Sequence, residues 1–122
     1  MSITASLIGY KDAIEAALSH ADYSHSFDDI VRGVLTGQLH FYPSGNDFAI
    51  MEIQQYPRFN AYHCFLAGGT TDALLELQEI ITQNAKALNC DRLTFTGRRG
   101  FLRRLKDSGW EEQAVHMTYP IG

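Results

Sequence analysis

Residues 48–71, FAIMEIQQYPRFNAYHCFLAGGTT, contain two predicted strands and the start of a helix. The side chains of the first strand alternate between two faces, and Phe48, Ile50 and Glu52 share one of them. A period of two is typical of a β-strand, and the Pro-Arg pair that follows predicts a turn. Ala61–Ala67 forms the next strand, which Gly-Gly-Thr-Thr ends while it opens a helix. The stretch therefore predicts two neighbouring strands followed by a helix.

Two helices and a strand are predicted ahead of this stretch. Apolar spacing predicts a first helix over Ala5–Ser19. Ser26 suits the N-cap of a second helix, because two acids follow it in the first turn and Gly37 supplies the stop. Gln38–Tyr42 alternates as a strand, and Pro-Ser-Gly-Asn at 43–46 breaks the alternation. This pattern predicts a β-hairpin with the strand described above.

The remaining elements follow the Gly-Gly-Thr-Thr motif. The helix that begins there has one apolar face, made of Leu74, Leu77, Ile81, Ala85 and Leu88. A strand at Asp91–Thr96, a helix at Arg98–Ser108 and a final strand at Trp110–Met117 complete the prediction. The order α-α-β-β-β-α-β-α-β predicts a single α+β domain over residues 1–122, with a mixed sheet flanked by helices.

Composition and cysteine usage exclude several classes of protein. A chain of 122 residues with 45% apolar content suits one domain with a packed core. No stretch approaches the roughly 20 apolar residues of a membrane span, and the N-terminus lacks the basic region of a secretory signal. We expect Cys64 and Cys90 to be buried free thiols, rather than a disulfide or a catalytic cysteine, which points to a reducing cytoplasm.

The positive charge is concentrated in one predicted helix. Half of the ten Lys and Arg residues lie in nine positions without an acid: Arg98, Arg99, Arg103, Arg104 and Lys106. Helical spacing turns Phe101 and Leu105 inward and leaves a basic stripe outside. Three interpretations stay open: a solvated surface, a site for phosphates of coenzyme A or of a substrate, or contact with nucleic acid or an acidic protein. The acidic remainder of the chain argues against nucleic acid.

Four stretches between residues 28 and 112 carry a resemblance to a known family. They are Asp29-Ile30 through Gly37-Gln38, Glu52-Ile53 to Tyr56-Pro57-Arg58, Leu66-Ala67-Gly68-Gly69, and Cys90 through Gly97-Arg98-Arg99-Gly100-Phe101 with Gly109-Trp110. These stretches resemble small phage- and prophage-encoded proteins of the GNAT, or N-acetyltransferase, type. The element order also resembles the GNAT fold with its first strand missing or reduced.

This resemblance implies a GNAT-like fold and an acetyl-CoA-dependent N-acetyltransferase with an unknown amine substrate. The alternative is a catalytically inactive GNAT-fold protein that binds another, acidic protein during phage assembly or host takeover. Either function implies the cytoplasm of the bacterial host cell and no membrane, and a homodimer stays open.

The resemblance also implies where acetyl-CoA binds. In GNAT enzymes one strand pairs with the pantetheine arm, and the loop after it offers backbone N–H groups to the pyrophosphate. The corresponding residues here are Leu66, Gly68, Gly69, Thr70 and Thr71. Neither register of the family loop puts a basic residue ahead of the glycines, and Asp72 places a carboxylate where it repels phosphate. We therefore expect weak coenzyme A binding, and the alternative is a Gly-Gly strand end with a Thr helix cap.

The candidate catalytic residues are Glu52 and His63. Apolar neighbours on its strand would raise the pKa of Glu52 toward that of a general base, whereas the alternative is an exposed carboxylate at a strand rim. His63 on the next strand is the second candidate, and its alternative is a histidine satisfied in the core or at the surface. In the family, a tyrosine acts as the general acid that protonates the leaving thiolate. Leu105 stands at that position here, so the implied proton donor is absent.

We expect no metal site. His20, Asp22 and His25, followed by two acids, are metal-ligand types, but their spacing fits no standard zinc pattern. The acids have a sufficient role at a helix start.

Overall fold

The computed structural model describes residues 3–122, apart from the side chains of Thr71 and Ala73. The elements in chain order are α1 (Ile3–Gly9), α2 (Lys11–Ser19), α3 (Phe27–Thr36), β1 (His40–Ser44), β2 (Asp47–Gln55), β3 (Asn60–Gly68), α4 (Thr71–Ala87), β4 (Arg92–Phe95) and α5 (Arg99–Asp107). The sheet has the order β1-β2-β3-β4, with antiparallel pairing up to β3 and parallel pairing between β3 and β4. The predicted α+β class with a mixed sheet and flanking helices is confirmed, and the described residues hold no strand ahead of α1.

The predicted first helix is in fact two helices, and the prediction of a single one is wrong. Gly9 ends α1, and Tyr10 adopts φ −106° and ψ 8° at the N-cap of α2. The Tyr10 amide donates to the carbonyl of Leu7 at 2.9 Å, and its hydroxyl donates to the Gly45 carbonyl. Because Tyr10 is held by the β1–β2 turn, the chain bends there, and both helices bury their apolar faces on the sheet.

The second predicted helix is confirmed as α3. Ser26 Oγ accepts from the Asp29 amide at 3.1 Å, and the Asp29 carboxylate accepts from the Ser26 amide at 2.8 Å. This capping box satisfies two donors at the helix start. Gly37 ends the helix with φ 82°, a left-handed conformation that costs glycine little.

The hairpin is confirmed with a shifted first strand. β1 begins two residues later than predicted and runs through Pro43, which pairs with Phe48. Proline is tolerated there because β1 is an edge strand with one side free of ladder bonds. The predicted four-residue break therefore shrinks to Gly45 and Asn46.

The sheet is buried on both faces. Phe48 and Ile50 of β2 pack with α1, α2 and α3, whereas Ala49 and Met51 pack with α4 and α5. Alternating side chains on β2 thus serve two separate apolar clusters, which is why four consecutive residues of β2 are buried. Of the five residues predicted for the apolar face of α4, only Leu88 is exposed, because the helix ends at Ala87.

The predicted final strand is wrong. Residues 110–122 form neither helix nor strand, and all of them beyond Trp110 are exposed. Alternating apolar residues are not sufficient for a strand, since a strand also needs a neighbour for its backbone hydrogen bonds. Trp110 itself is anchored, because its ring N–H donates to Gln78 Oε1 at 3.1 Å.

Both cysteines are free and buried, as predicted. Burial raises the pKa of the Cys64 thiol to about 12, so this thiol is not a nucleophile near neutral pH. None of the helices among residues 3–122 has the length and apolar character that crossing a membrane requires.

Truncating Phe101 tests the packing of α5. Its ring is buried and lies 5.6 Å from that of Phe95. We expect Phe101→Ala to lower the free energy of unfolding by about 3–5 kcal/mol, measured by chemical denaturation. Arg103→Ala, on the exposed side of the same helix, should change it by less than about 0.5 kcal/mol. Equal losses in the two variants would contradict this packing.

Candidate functional site

An open cleft of about 870 Å³ lies between α3 and the second half of β2. Gly33 lets α3 pack closely on Leu39, the residue just ahead of β1, because a Cβ atom at Gly33 would lie 2.5 Å from Leu39 Cδ1. The polar face of α3 contributes Asp29 and Arg32 to one wall, and Glu52 of β2 contributes to the other. A cleft on which a few polar side chains converge is a candidate small-molecule site.

Glu52 is the carboxylate that β2 presents to this cleft. It is half-buried, and its Oε1 atom accepts from Gln54 Nε2 at 3.3 Å. The Tyr56 hydroxyl in turn donates to Gln54 Oε1 at 2.9 Å. The carboxylate is therefore held by a polar relay along its own strand, rather than enclosed by the apolar neighbours that the alternation suggested.

His63 lies directly opposite Glu52 in the β2–β3 register. It is nearly buried, and its Nδ1 atom is 2.8 Å from Thr94 Oγ1 on β4. Burial lowers the pKa of His63, and the Glu52 carboxylate opposes this effect. The structure thus brings the two candidate catalytic residues together as one pair, with Glu52 at the cleft and the imidazole beside it.

Sequence reasoning missed three cleft residues: Arg32, His25 and His40. The His25 ring packs on Phe65 at 5.2 Å, so it belongs to the wall of the cleft. The available signal was the polar stripe of α3, in which Asp29 and Arg32 are separated by three residues and so share a helical face. Among residues 3–122 no group of three His, Cys, Asp or Glu side chains could hold a metal ion.

His40 ends a chain of hydrogen bonds that begins on α4 and runs through tyrosines of β1 and β3. Asn84 Nδ2 donates to the Tyr42 hydroxyl at 2.9 Å, and the Tyr42 and Tyr62 oxygens are 2.8 Å apart. His40 Nδ1 contacts the Tyr62 hydroxyl, and its Nε2 atom lies 3.1 Å from the Gly37 carbonyl. Because a carbonyl oxygen only accepts, Nε2 of His40 donates to Gly37. Burial raises the pKa of Tyr62, so its hydroxyl keeps its proton.

The predicted phosphate loop is packed against its own chain. A side chain at Gly68 would meet the Phe48 ring, and one at Gly69 would coincide with the Asp47 carboxylate. Gly69 also has φ 95°, which disfavours any other residue. Both glycines are thus required by the fold, whether or not the loop binds an anion.

The other residues of this predicted site are placed as follows. The Leu66 side chain is buried in the cluster beneath α1, α2 and α3, so only its backbone is available to a ligand. Thr70 is exposed ahead of α4, and the side chain of Thr71 lies outside the described residues. Asp72 in the first turn of α4 forms an ion pair with Arg104.

β3 carries a bulge and diverges from β4. Ile50 pairs with Leu66 and Met51 with Cys64, so Phe65 is the extra residue. Pairing with β4 ends at Cys64, although β3 continues to Gly68. The last residues of β3 therefore lack a ladder partner on the β4 side, where the two strands separate toward the loop.

The basic helix has the predicted exposed side, but only part of its charge is unpaired. Arg104 pairs with Asp72, and Lys106 Nζ lies 3.2 Å from Glu112 Oε2. Arg98 lies over the Phe101 ring at 5.7 Å. In the described part of the chain, neither Arg99 nor Arg103 forms an ion pair, so no carboxylate offsets the charge of these two exposed side chains.

Comparisons with solved structures identify the architecture. A tetramutant protein from Bacillus halodurans matches with a TM-score of 0.62 and 13% identity, over 94% of this chain and 96% of that one. An acetyltransferase of Trypanosoma brucei matches with a TM-score of 0.59 and 9% identity, over 91% and 94%. The chain has a GNAT-like fold.

An integron cassette protein of V. cholerae is also similar, with a TM-score of 0.57, 17% identity and coverage of 95% of this chain and 85% of that one. No protein-family model and no curated protein matches this sequence. Such low identities establish the fold alone, and nothing in these comparisons supports the phage origin that the sequence resemblance implied.

The environment of His63 predicts a pH dependence of stability. Its pKa in the folded state is lowered, so below the ordinary value of about 6.5 the unfolded chain binds the proton more readily. This contribution to stability is present above that pH and is lost as the pH falls. We expect His63→Gln to reduce the fall of Tm between pH 7 and pH 5 seen by calorimetry. His116→Gln, in the exposed C-terminal segment, should keep it; equal slopes in both variants would contradict this assignment.

Proposed function

We propose that this protein is an N-acetyltransferase that binds its acceptor amine in the cleft between α3 and β2. The observation that carries the proposal is Glu52 at the cleft with His63 opposite it on β3. A general base must reach the amine proton from a solvent-accessible position, and Glu52 has that position. A cytoplasmic location, consistent with two free thiols, is part of the proposal.

The charges of the cleft favour a cationic acceptor. Glu52 offers its carboxylate to an ammonium group. Asp29 is engaged by the Ser26 amide and by Arg32, which keep its pKa below the usual value. Once bound, the ammonium group gives up a proton to the Glu52 carboxylate, which becomes neutral. His63 lies opposite Glu52, and burial keeps its imidazole neutral while this happens. Acetyl-CoA would supply the acetyl thioester. Leu105 is buried in the core, so no hydroxyl at that position protonates the leaving thiolate.

The fit to coenzyme A is partial. The N-terminus of α4 and the unpaired end of β3 suit an anion and an extended ligand arm. Asp47 against Gly69 and Asp72 in the first turn of α4 place two carboxylates where the pyrophosphate would lie. We therefore propose that acetyl-CoA binds weakly.

The carboxylates of Asp47 and Asp72, which weaken the binding of coenzyme A, favour a second candidate function. A GNAT-fold protein without catalysis would bind another protein, and a role in phage assembly or host takeover rests only on the resemblance of residues 28–112. Arg99 and Arg103 on α5 would then meet an acidic partner.

Glu52→Gln tests the base. In an acetyltransferase assay with millimolar acetyl-CoA and a panel of primary amines, we expect kcat to fall by about 10²-fold or more. The fold should stay intact, because Glu52 is half-buried and its hydrogen bond is with another side chain. Glu79→Gln makes the same change on the exposed face of α4 and should leave kcat unchanged. A mutant with the wild-type pH–rate profile would remove Glu52 from the mechanism.

Titration calorimetry with acetyl-CoA tests the cofactor. We expect a dissociation constant above about 100 μM, and Asp47→Asn or Asp72→Asn should tighten binding several-fold by removing repulsion. Asp107→Asn, at the far end of α5, is the matched control. A wild-type constant in the low micromolar range would contradict the weak fit. No heat in any variant would instead favour the protein-binding function.

A further inference from the structure

β1 covers only part of the adjoining edge of β2. The β1–β2 ladder ends where His40 pairs with Met51, whereas β2 continues to Gln55. Residues 52–55 therefore have no strand on this side among the described residues, and Ile53 and Gln55 line the cleft there. The cleft thus contains a short, open strand edge.

The pairing with β3 decides which backbone groups face this open edge. The Tyr56 amide donates to the Phe59 carbonyl at 2.9 Å, so Tyr56 directs its backbone groups toward the β3 side. Residues of an antiparallel strand alternate in this respect, so the odd-numbered residues that end β2 face the other way. The N–H and C=O groups of Ile53 and Gln55 therefore point into the cleft, and no other described residue bonds them. These four groups are the ones that an added strand uses.

The end of β1 and the charge of Glu52 together select the occupant. β1 closes the edge at Met51, next to Glu52, so an added strand has to end at this point. The Glu52 carboxylate forms no ion pair with a described residue, and its hydrogen bond comes from the neutral Gln54 amide. An amino terminus brings an ammonium group to this carboxylate, whereas a carboxyl terminus is repelled by it. A strand that starts at Glu52 and continues past Gln55 runs parallel to β2.

We propose that the cleft binds an extended peptide as an added strand parallel to β2, with the amino terminus of the peptide at Glu52. This inference deepens the proposed function and rests on it only for the fate of the amine. A terminal α-amino group has a pKa of about 7.7–8.0, against about 10.4 for a lysine side chain. It therefore yields its proton to a carboxylate more readily than lysine does.

Parallel pairing assigns a role to each amide of the peptide. Ile53 donates to the carbonyl of the first peptide residue and accepts from the N–H of the third, and Gln55 donates to the carbonyl of the third. The N–H groups of the second and fourth residues point away from β2. Recognition of this kind uses the backbone, so it tolerates many peptide sequences.

Two methylated peptides of equal composition test this pairing. The probe is Ala-Thr-Val-Thr-Val with a free amino terminus and an amidated carboxyl terminus, titrated into the isotope-labelled full chain without acetyl-CoA. Methylation of the nitrogen of the third residue should weaken binding at least about tenfold, because it removes a hydrogen bond and sets a methyl group against β2. Methylation of the nitrogen of the fourth residue should leave the dissociation constant unchanged.

Protein variants test the same contacts from the other side. Ile53→Pro removes one N–H group from the open edge, away from the β2–β3 bonds, and should abolish binding. Ile53→Ala loses the same side chain, keeps the N–H group and should still bind the probe. Glu52→Gln should weaken binding of the free peptide and leave that of the N-acetylated peptide unchanged.

Several outcomes would overturn the inference. Equal affinity for the two methylated peptides, or no change of the residue 53–55 amide signals at millimolar probe, would exclude strand addition. Equal affinity of wild type for the free and the N-acetylated peptide would exclude an amino terminus at Glu52.

Adding acetyl-CoA separates this inference from the proposed function. A peptide that binds with the expected methylation pattern and is never acetylated would support the strand site and contradict the N-acetyltransferase. Acetylation of small amines by a chain that binds no peptide would support the enzyme and overturn the strand site.

Discussion

The burial of β2 on both faces is the constraint on which the rest of the structure depends. Phe48 and Ile50 need an apolar layer on one side of the sheet, and Ala49 and Met51 need one on the other. A two-stranded hairpin cannot supply either layer. The three N-terminal helices cover one face, and the α4 crossover with α5 covers the other. Each connection therefore has to bring the chain to the correct side of this one strand.

The cleft begins where this double burial ends. Met51 is the last fully buried residue of β2, and the bulge opposite it on β3 changes the register just before Glu52 meets His63. Beyond that point β2 carries Glu52, Gln54 and Gln55, and Ile53 is its one apolar residue. The fold thus produces an opening beside a carboxylate without any loop devoted to the purpose. This origin also explains why the cleft lies on the opposite side of β2 from the cluster that holds α4 and α5.

The sequence was informative where local chemistry decides the structure. Ser26, Asp29 and Gly37 specify both ends of α3 by hydrogen bonds within a few residues, and the alternation at 48–51 specifies a strand. It was uninformative where a distant contact decides. The bend at Tyr10 depends on the Gly45 carbonyl, 35 residues away. Residues 110–117 have the pattern of a strand, but no pattern encodes whether a neighbouring strand is present.

The site was predicted in part for the same reason. Glu52 and His63 were each visible as polar residues on strands, but their pairing depends on the β2–β3 register. His40 and Arg32 became cleft residues only through the approach of α3 to the sheet. Gly68 and Gly69 suggested an anion loop, whereas the structure shows that Phe48 and Asp47 occupy the space of their missing side chains.

The hydrogen-bond chain from Asn84 to His40 ties two helices that cover opposite faces of the sheet. Asn84 lies on α4, and at the other end His40 Nε2 donates to the carbonyl of Gly37, the C-cap of α3. The tyrosine hydroxyls in between each donate and accept, so each can reverse its O–H bond without displacing a heavy atom. The order of donors and acceptors along the chain can therefore change while the sheet stays still.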